Sequence, residues 1–129
     1  MLIDTQALIW FGMDDARLSS RAAEAIAEPG NHYSLVTIWE AAIKSGLKKL
    51  DLTREDKRIS AKEYFQWLVD DIELTAIPIT FSDVAAVEFL PPHHSDPFDR
   101  LLIAQALERN LELVSADAIF DHYGVRRVW

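Results

Sequence analysis

The chain has no cysteine among its 129 residues. That absence excludes a disulfide scaffold, a thiolate zinc site, an iron–sulfur cluster and a cysteine nucleophile. No apolar run reaches the roughly 18–20 residues that span a bilayer. The opening Met1-Leu2-Ile3-Asp4 has no basic segment and meets an acid at once, unlike a secretory leader. Internal repeats, low-complexity tracts and a domain-splitting linker are also missing. These absences predict one cytoplasmic domain over residues 1–129. Positive charge is scarce: 13 Lys and Arg face 21 acids, for a net −8. As a whole, such a chain does not suit polyphosphate.

What is present is ordinary globular composition, 50% hydrophobic and 26% charged. The charge is uneven. Lys44, Lys48, Lys49, Arg54, Lys57, Arg58 and Lys62 fall within 19 residues that hold only Asp51, Glu55 and Asp56 as acids. This stretch is either where a phosphate-bearing partner lands or the solvated face of a helical hairpin.

Periodicity and caps predict strands at Leu2-Ile3, 33–36, 74–79, 111–115 and 125–129. Helices are expected over 5–12, 20–28, 37–46, 60–71, 82–90 and 97–110, with a short one from Asp117. Ser60-x-x-Glu63 is a capping box. Asn110 suits the residue just past a helix end. Alternating strands and helices predict an α/β fold, a central parallel sheet covered on both faces. Its functional crevice should lie at the C-terminal ends of the strands.

Four acids sit at such strand-to-helix junctions: Asp4, Glu40, Asp99 and Asp117. Gathered at one rim they repel one another, and a divalent cation removes that penalty. All-oxygen donors favour a hard ion, Mg²⁺ or Mn²⁺. Each acid also has a plain alternative. Thr37-x-x-Glu40 reads as a capping box, Asp96-Pro97-Phe98-Asp99 as an N-cap with an N1 proline and an N3 acid, and Asp117 as a helix-dipole partner. Asp4 is harder to explain away, because it follows a strand that should be buried.

The segments LIDTQALIW, SLVTIWEAAIKSGLKKL, HHSDPFDRLLIAQAL and LVSADAIFDHYGVRRVW run in order from residue 2 to 129. Together they resemble PIN-domain proteins of the VapC toxin type. The resemblance implies an α/β/α sandwich, a metal-dependent ribonuclease, homodimers and inhibition by a cognate antitoxin. It also implies that Asp4, Glu40, Asp99 and Asp117 form the metal site. Thr5 then holds a water or caps its helix, and Ser115 orients Asp117. Asp96 either supports the site or caps a helix. Lys44, one helical turn from Glu40, contacts phosphate or forms an ordinary ion pair. Arg100 holds phosphate or pairs with an acid, and Lys48 and Lys49 belong to the RNA-binding stretch. His93 and His94 read as solvated loop residues with no assigned role.

The expected chemistry is hydrolysis of an RNA phosphodiester by cation-activated water, leaving 5′-phosphates. Trp39 and Trp67 read as core residues rather than base-stacking platforms. Surplus apolar faces on helices 5–12 and 97–110 suggest an interface for a second copy or an antitoxin, unless the monomer buries them. Two other classes stand beside this reading. One is a phosphatase or phospho-accepting domain using Asp4, although Gln6 stands where the phosphatase pattern wants an acid. The other is a non-catalytic RNA- or protein-binding module.

Overall fold

The computed structural model describes residues 1–129. The chain runs through β1 (Leu2–Ile3), α1 (Thr5–Gly12), α2 (Ser20–Ala27), β2 (His32–Ser34), α3 (Leu35–Gly46), β3 (Leu52–Arg54), β4 (Lys57–Ile59) and α4 (Ala61–Asp71). It continues through β5 (Thr75–Ile77), α5 (Phe81–Ala86), α6 (Pro97–Glu108), β6 (Leu113–Val114) and β7 (Arg127–Val128). Single 3₁₀ segments occupy Val87–Phe89 and Ala118–Tyr123.

Five strands form one parallel sheet in the order β5-β2-β1-β6-β7. β1 is central, with Ile3 level with Tyr33 on one side and Val114 on the other. Successive strand residues face opposite ways. Ile3 and Val114 therefore join a core with Ala7, Leu8, Ile26, Tyr64, Phe65 and Leu68, from α1, α2 and α4. Leu2 and Leu113 join the opposite core with Ile77, Leu102, Ile103 and Phe120. The result is helices on both faces of a parallel sheet. From β1 the chain builds outward through β2 and β5, then returns to add β6 and β7 on the other side. This reversal beside β1 is where an open α/β sheet leaves a crevice beyond its strand ends.

Several boundaries differ from the sequence reading, each for a local reason. β2 ends at Ser34, whose hydroxyl accepts the Val36 N–H, so α3 starts two residues early. Glu40 then lies inside the helix and Thr37-x-x-Glu40 is not a capping box. The basic stretch holds an antiparallel hairpin, β3–β4, and not a helical one. Its turn residues Glu55 and Asp56 both take positive φ, 50° and 60°. Helix 82–90 splits into α5 and a 3₁₀ turn. The interface suggested for 97–110 is largely absorbed by the monomer, which buries Leu101 to Ala106 continuously. Asn110, at φ 51°, takes the left-handed position expected past α6.

Candidate functional site

Asp4 leaves the C-terminal end of β1 and caps α1, one carboxylate oxygen accepting the Gln6 N–H. Its other oxygen accepts the Ser115 hydroxyl at 2.8 Å, from the neighbouring β6 rim. Only 8% of Asp4 is exposed. Burial pushes its pKa up to about 6 against the pull of these two donors, and the Glu40 and Asp117 charges push the same way.

The other three acids reach the same place from three elements. Glu40 comes from the middle of α3, buried and ion-paired one turn along with Lys44. Burial pulls the Lys44 ammonium down, but the Glu40 hydrogen bond and the Glu40, Asp96 and Asp99 charges outweigh it, so its pKa rises. Asp99 stands in the first turn of α6, where Asp96 is the N-cap and Pro97 the first helical residue. Burial, then the Asp4 and Asp96 charges, push Asp99 up to about 7 against the opposing pull of His94. Asp117 follows β6 and caps the Ala118–Tyr123 turn. Asp4, Gln6, Glu40, Lys44, Asp99, Ala116, Asp117 and Phe120 line one cavity of about 270 Å³. The four acids named from the sequence thus line one crevice at the switch beside β1.

The supporting residues fall differently. Ser115 ties the two rims together: its hydroxyl donates to Asp4 and accepts the Asp117 N–H at 3.1 Å. Thr5 is buried, its hydroxyl donating to that of Thr37 of α3 at 3.3 Å, and α1 is capped by Asp4 rather than by Thr5. Arg100 departs most from expectation. Its guanidinium donates to the carbonyls of Val87, Leu90, Pro91 and His94 and to the Tyr123 hydroxyl, which leaves it knitting the 87–94 segment to α6 rather than facing phosphate. Lys48 and Lys49 are exposed and make no ion pair. Trp39 is 52% exposed and packs edge-on against Phe98, contrary to the core expectation. Trp67 is partly buried, with Arg54 over its ring.

His94 is the residue the sequence reading missed. Its side chain is not solvated: Nε2 lies 3.0 Å from Asp117 and 3.2 Å from Asp99. A His two residues before a helix cap carries no periodic signal, so only its nearness to Asp96-Pro97 hinted at a fixed loop.

Oxygen donors dominate the cavity, and two of its acids are held well above their ordinary pKa by burial and mutual repulsion. Ligand atoms of His94, Asp99 and Asp117 lie within 4.8 Å of one another, near enough to share one ion. This set fits a hard divalent cation, which would relieve the repulsion.

The PIN domain family model matches residues 1–125. No curated protein matches the chain. Among solved structures, the VapBC2 complex of Rickettsia felis, bound to a promoter DNA fragment, superposes with TM-score 0.66 at 14% identity, covering 98% of this chain and 95% of that one. FitAcB from Neisseria gonorrhoeae gives 0.64 at 15%, covering 98% and 94%. A toxin–antitoxin complex from Klebsiella pneumoniae gives 0.58 at 20%, covering 90% and 85%. With a model matching nearly its whole length and a fold shared with these complexes, the chain belongs to the PIN domain family.

Proposed function

We propose that the chain is a metal-dependent endoribonuclease and the toxin of a type II toxin–antitoxin pair. The observation that carries this reading is the meeting of Asp4, Glu40, Asp99 and Asp117 in one crevice of a PIN domain. One structural neighbour, described as a toxin–antitoxin complex from Klebsiella pneumoniae, supports the partner.

Asp4, Glu40, Asp99 and Asp117 would hold Mg²⁺ or Mn²⁺. When bound, such an ion supplies charge neutralisation, polarisation of water and stabilisation of the phosphorane charge. Ser115 and the Gln6 N–H hold the Asp4 carboxylate in one orientation before substrate arrives. Glu40 either helps hold the ion or takes the proton of the attacking water, while Lys44 neutralises Glu40 and faces the phosphate. Water oxygen bonds to phosphorus, the bond to the 3′-oxygen breaks, and the products are a 5′-phosphate and a 3′-hydroxyl. A phospho-accepting role for Asp4 has less support, since both its oxygens already accept hydrogen bonds and the residue is buried.

The chain also acts as a homodimer in this reading. Phe81 and Phe89, 90% and 82% exposed, with Val84 between them, offer a second copy an apolar surface. The test of the activity is direct. The purified protein with Mg²⁺ or Mn²⁺ should cut RNA to 5′-phosphate ends, and Asp4→Asn should not. Cutting that survives both Asp4→Asn and chelation would overturn the reading.

A further inference from the structure

We propose that Trp39, seated edge-on against Phe98, is the platform on which an unpaired base of the RNA stacks beside the acid crevice. The inference rests on the ribonuclease reading above and names its substrate class, single-stranded RNA.

Tryptophan is highly buried on average. Of the four tryptophans in this chain only Trp39 is exposed, with 52% of its surface open. Its ring is nevertheless held. It meets Phe98 with centroids 4.9 Å apart and planes at 80°, an edge contact and not a stack. Phe98 is fixed in turn, because its N–H donates to the Asp96 cap at 2.8 Å. A braced indole offers a large contact area at small entropic cost.

The position of the pair ties it to the chemistry. Trp39 precedes Glu40 in α3, and Phe98 precedes Asp99 in α6. The two rings therefore bridge these helices at the level where each sends an acid into the cavity. Lys44 lines that cavity one turn further along α3, and the exposed Lys48 and Lys49 follow. This end of the molecule thus sets an open aromatic beside a line of cations. Sites for single strands combine these two parts, with phosphates on the cations and bases on the aromatic. Bases inside an RNA helix are already stacked and cannot use such a platform, whereas those of loops and ends can. Leu35 and Ile43 flank Trp39 on the same exposed stripe and would suit a protein as well, but the adjoining cations and acid cavity favour RNA.

The test is binding by fluorescence anisotropy to the full chain carrying Asp4→Asn, with Mg²⁺, so that RNA stays uncut. The probes are a labelled oligouridine, an abasic ribose-phosphate oligomer of equal length and an RNA duplex. We expect Trp39→Leu to weaken oligouridine binding about tenfold, within the range of one base–aromatic stack, and Trp39→Phe to keep most of the affinity. The slope of log affinity against log salt should not change, because stacking releases no counterions. The abasic oligomer and the duplex should bind with and without Trp39→Leu alike. Unchanged oligouridine affinity in a folded Trp39→Leu protein overturns the platform, and so does a loss shared equally by the abasic oligomer. A change of oligomeric state in light scattering with RNA affinity intact gives the stripe to a second copy and also overturns it. If the leucine variant fails to fold, the protein with Trp39 must still bind the abasic oligomer about tenfold less tightly than oligouridine, and equal affinity overturns the platform. In each of these cases RNA cutting by the protein with Asp4 intact leaves the nuclease reading standing. Neither cutting nor RNA binding by any of the proteins overturns both readings.

Discussion

The Ser115 hydroxyl donates to Asp4 across the gap between two strands and accepts the Asp117 N–H at the same time. One small side chain therefore sets the spacing of two acids that are 113 residues apart in sequence. It does so without supplying any positive charge, and burial holds the Asp4 pKa up at about 6 against its two donors.

That pKa makes Asp4 a stability liability when no cation is present. Its folded pKa, about 6, lies above an unfolded value near 3.9. Where both states are protonated, below about pH 4, the group has no effect. Between about pH 4 and 6 the unfolded chain ionises more readily, so stability falls as pH rises and stays lower beyond. Asp4→Asn should remove this loss. In chelator at pH 7.5 the variant should be more stable by about 1–3 kcal/mol, with the advantage vanishing towards pH 4. Urea unfolding of both proteins across that range checks the sign. A variant less stable at pH 7.5 would mean that Asp4 is tied down by contacts stronger than those to Ser115 and Gln6.

Gly12 ends α1 against Tyr64 of α4. A Cβ built there would stand 2.3 Å from the tyrosine oxygen and 3.2 Å from a Leu68 methyl. The oxygen has little room to yield, because it donates to the Ile9 carbonyl at 2.8 Å and is buried. Gly12→Ala should cost about 2–4 kcal/mol in urea unfolding, from overpacking plus loss of that hydrogen bond. Adding Tyr64→Phe removes the nearest clashing atom. The double variant should therefore be more stable than the sum of the two single losses predicts.

Asp83 in α5 is buried, and Arg109 grips both its oxygens, at 2.6 and 3.1 Å. Gln105 and the Thr80 N–H add two further donors. Burial alone would raise its pKa, but these partners outweigh burial and hold it down at about 2. The sign is opposite to that of Asp4: the stabilisation is complete above an unfolded pKa near 3.9 and is lost as pH falls towards 2. Asp83→Asn should lose about 2–4 kcal/mol at pH 7, because Arg109 keeps its charge without a counterion. The gap from wild type should narrow on acidification below about pH 4. Paired denaturation curves at pH 7 and pH 3 test both statements.

Asp4 and Asp117 could be read from sequence because each combines a strand end with a helix start, and Asp99 because it stands in the first turn of a capped helix; Glu40, read as a helix opening, lies inside α3 instead. Ser115 and Asp96 could be read from the same local patterns. The hairpin β3–β4 could not: its Glu55-Asp56 turn takes two positive φ values with neither Gly nor Asn to advertise them. Arg100 looked like a phosphate ligand because it adjoins Asp99, but adjacent helix residues point about 100° apart. His94 and Thr37 owe their places to partners 23 and 32 residues away, which no window along the chain contains. Trp39 reads as a core residue in the sequence but is exposed. Its exposure follows from the position of α3, whose Leu35, Trp39 and Ile43, with Leu47 just past its end, recur every fourth residue along one exposed stripe.

The basic stretch yields the last prediction. Of its seven cations, Lys44 is paired with Glu40, Arg58 with Asp51 at 2.9 Å, and Arg54 lies over Trp67. Lys48, Lys49, Lys57 and Lys62 are exposed and make no ion pair. Lys48 and Lys49 follow Leu47, the C-cap of α3, the helix that delivers Glu40 and Lys44 to the cavity. RNA reaching the acids along that helix end would cross them. Phosphate contacts to flexible single strands release counterions, and each contributes about 0.7 to the slope of log affinity against log salt. Lys48→Glu with Lys49→Glu should therefore weaken RNA binding and flatten that slope by about 1–1.5. Mn²⁺ affinity should stay the same, because neither side chain lines the acid cavity. Filter binding with Asp4→Asn as the uncut background, over a series of salt concentrations, measures the slope directly. A weaker affinity with an unchanged slope would point to distortion of the α3 end instead, and a wild-type slope and affinity would move the RNA path away from this face.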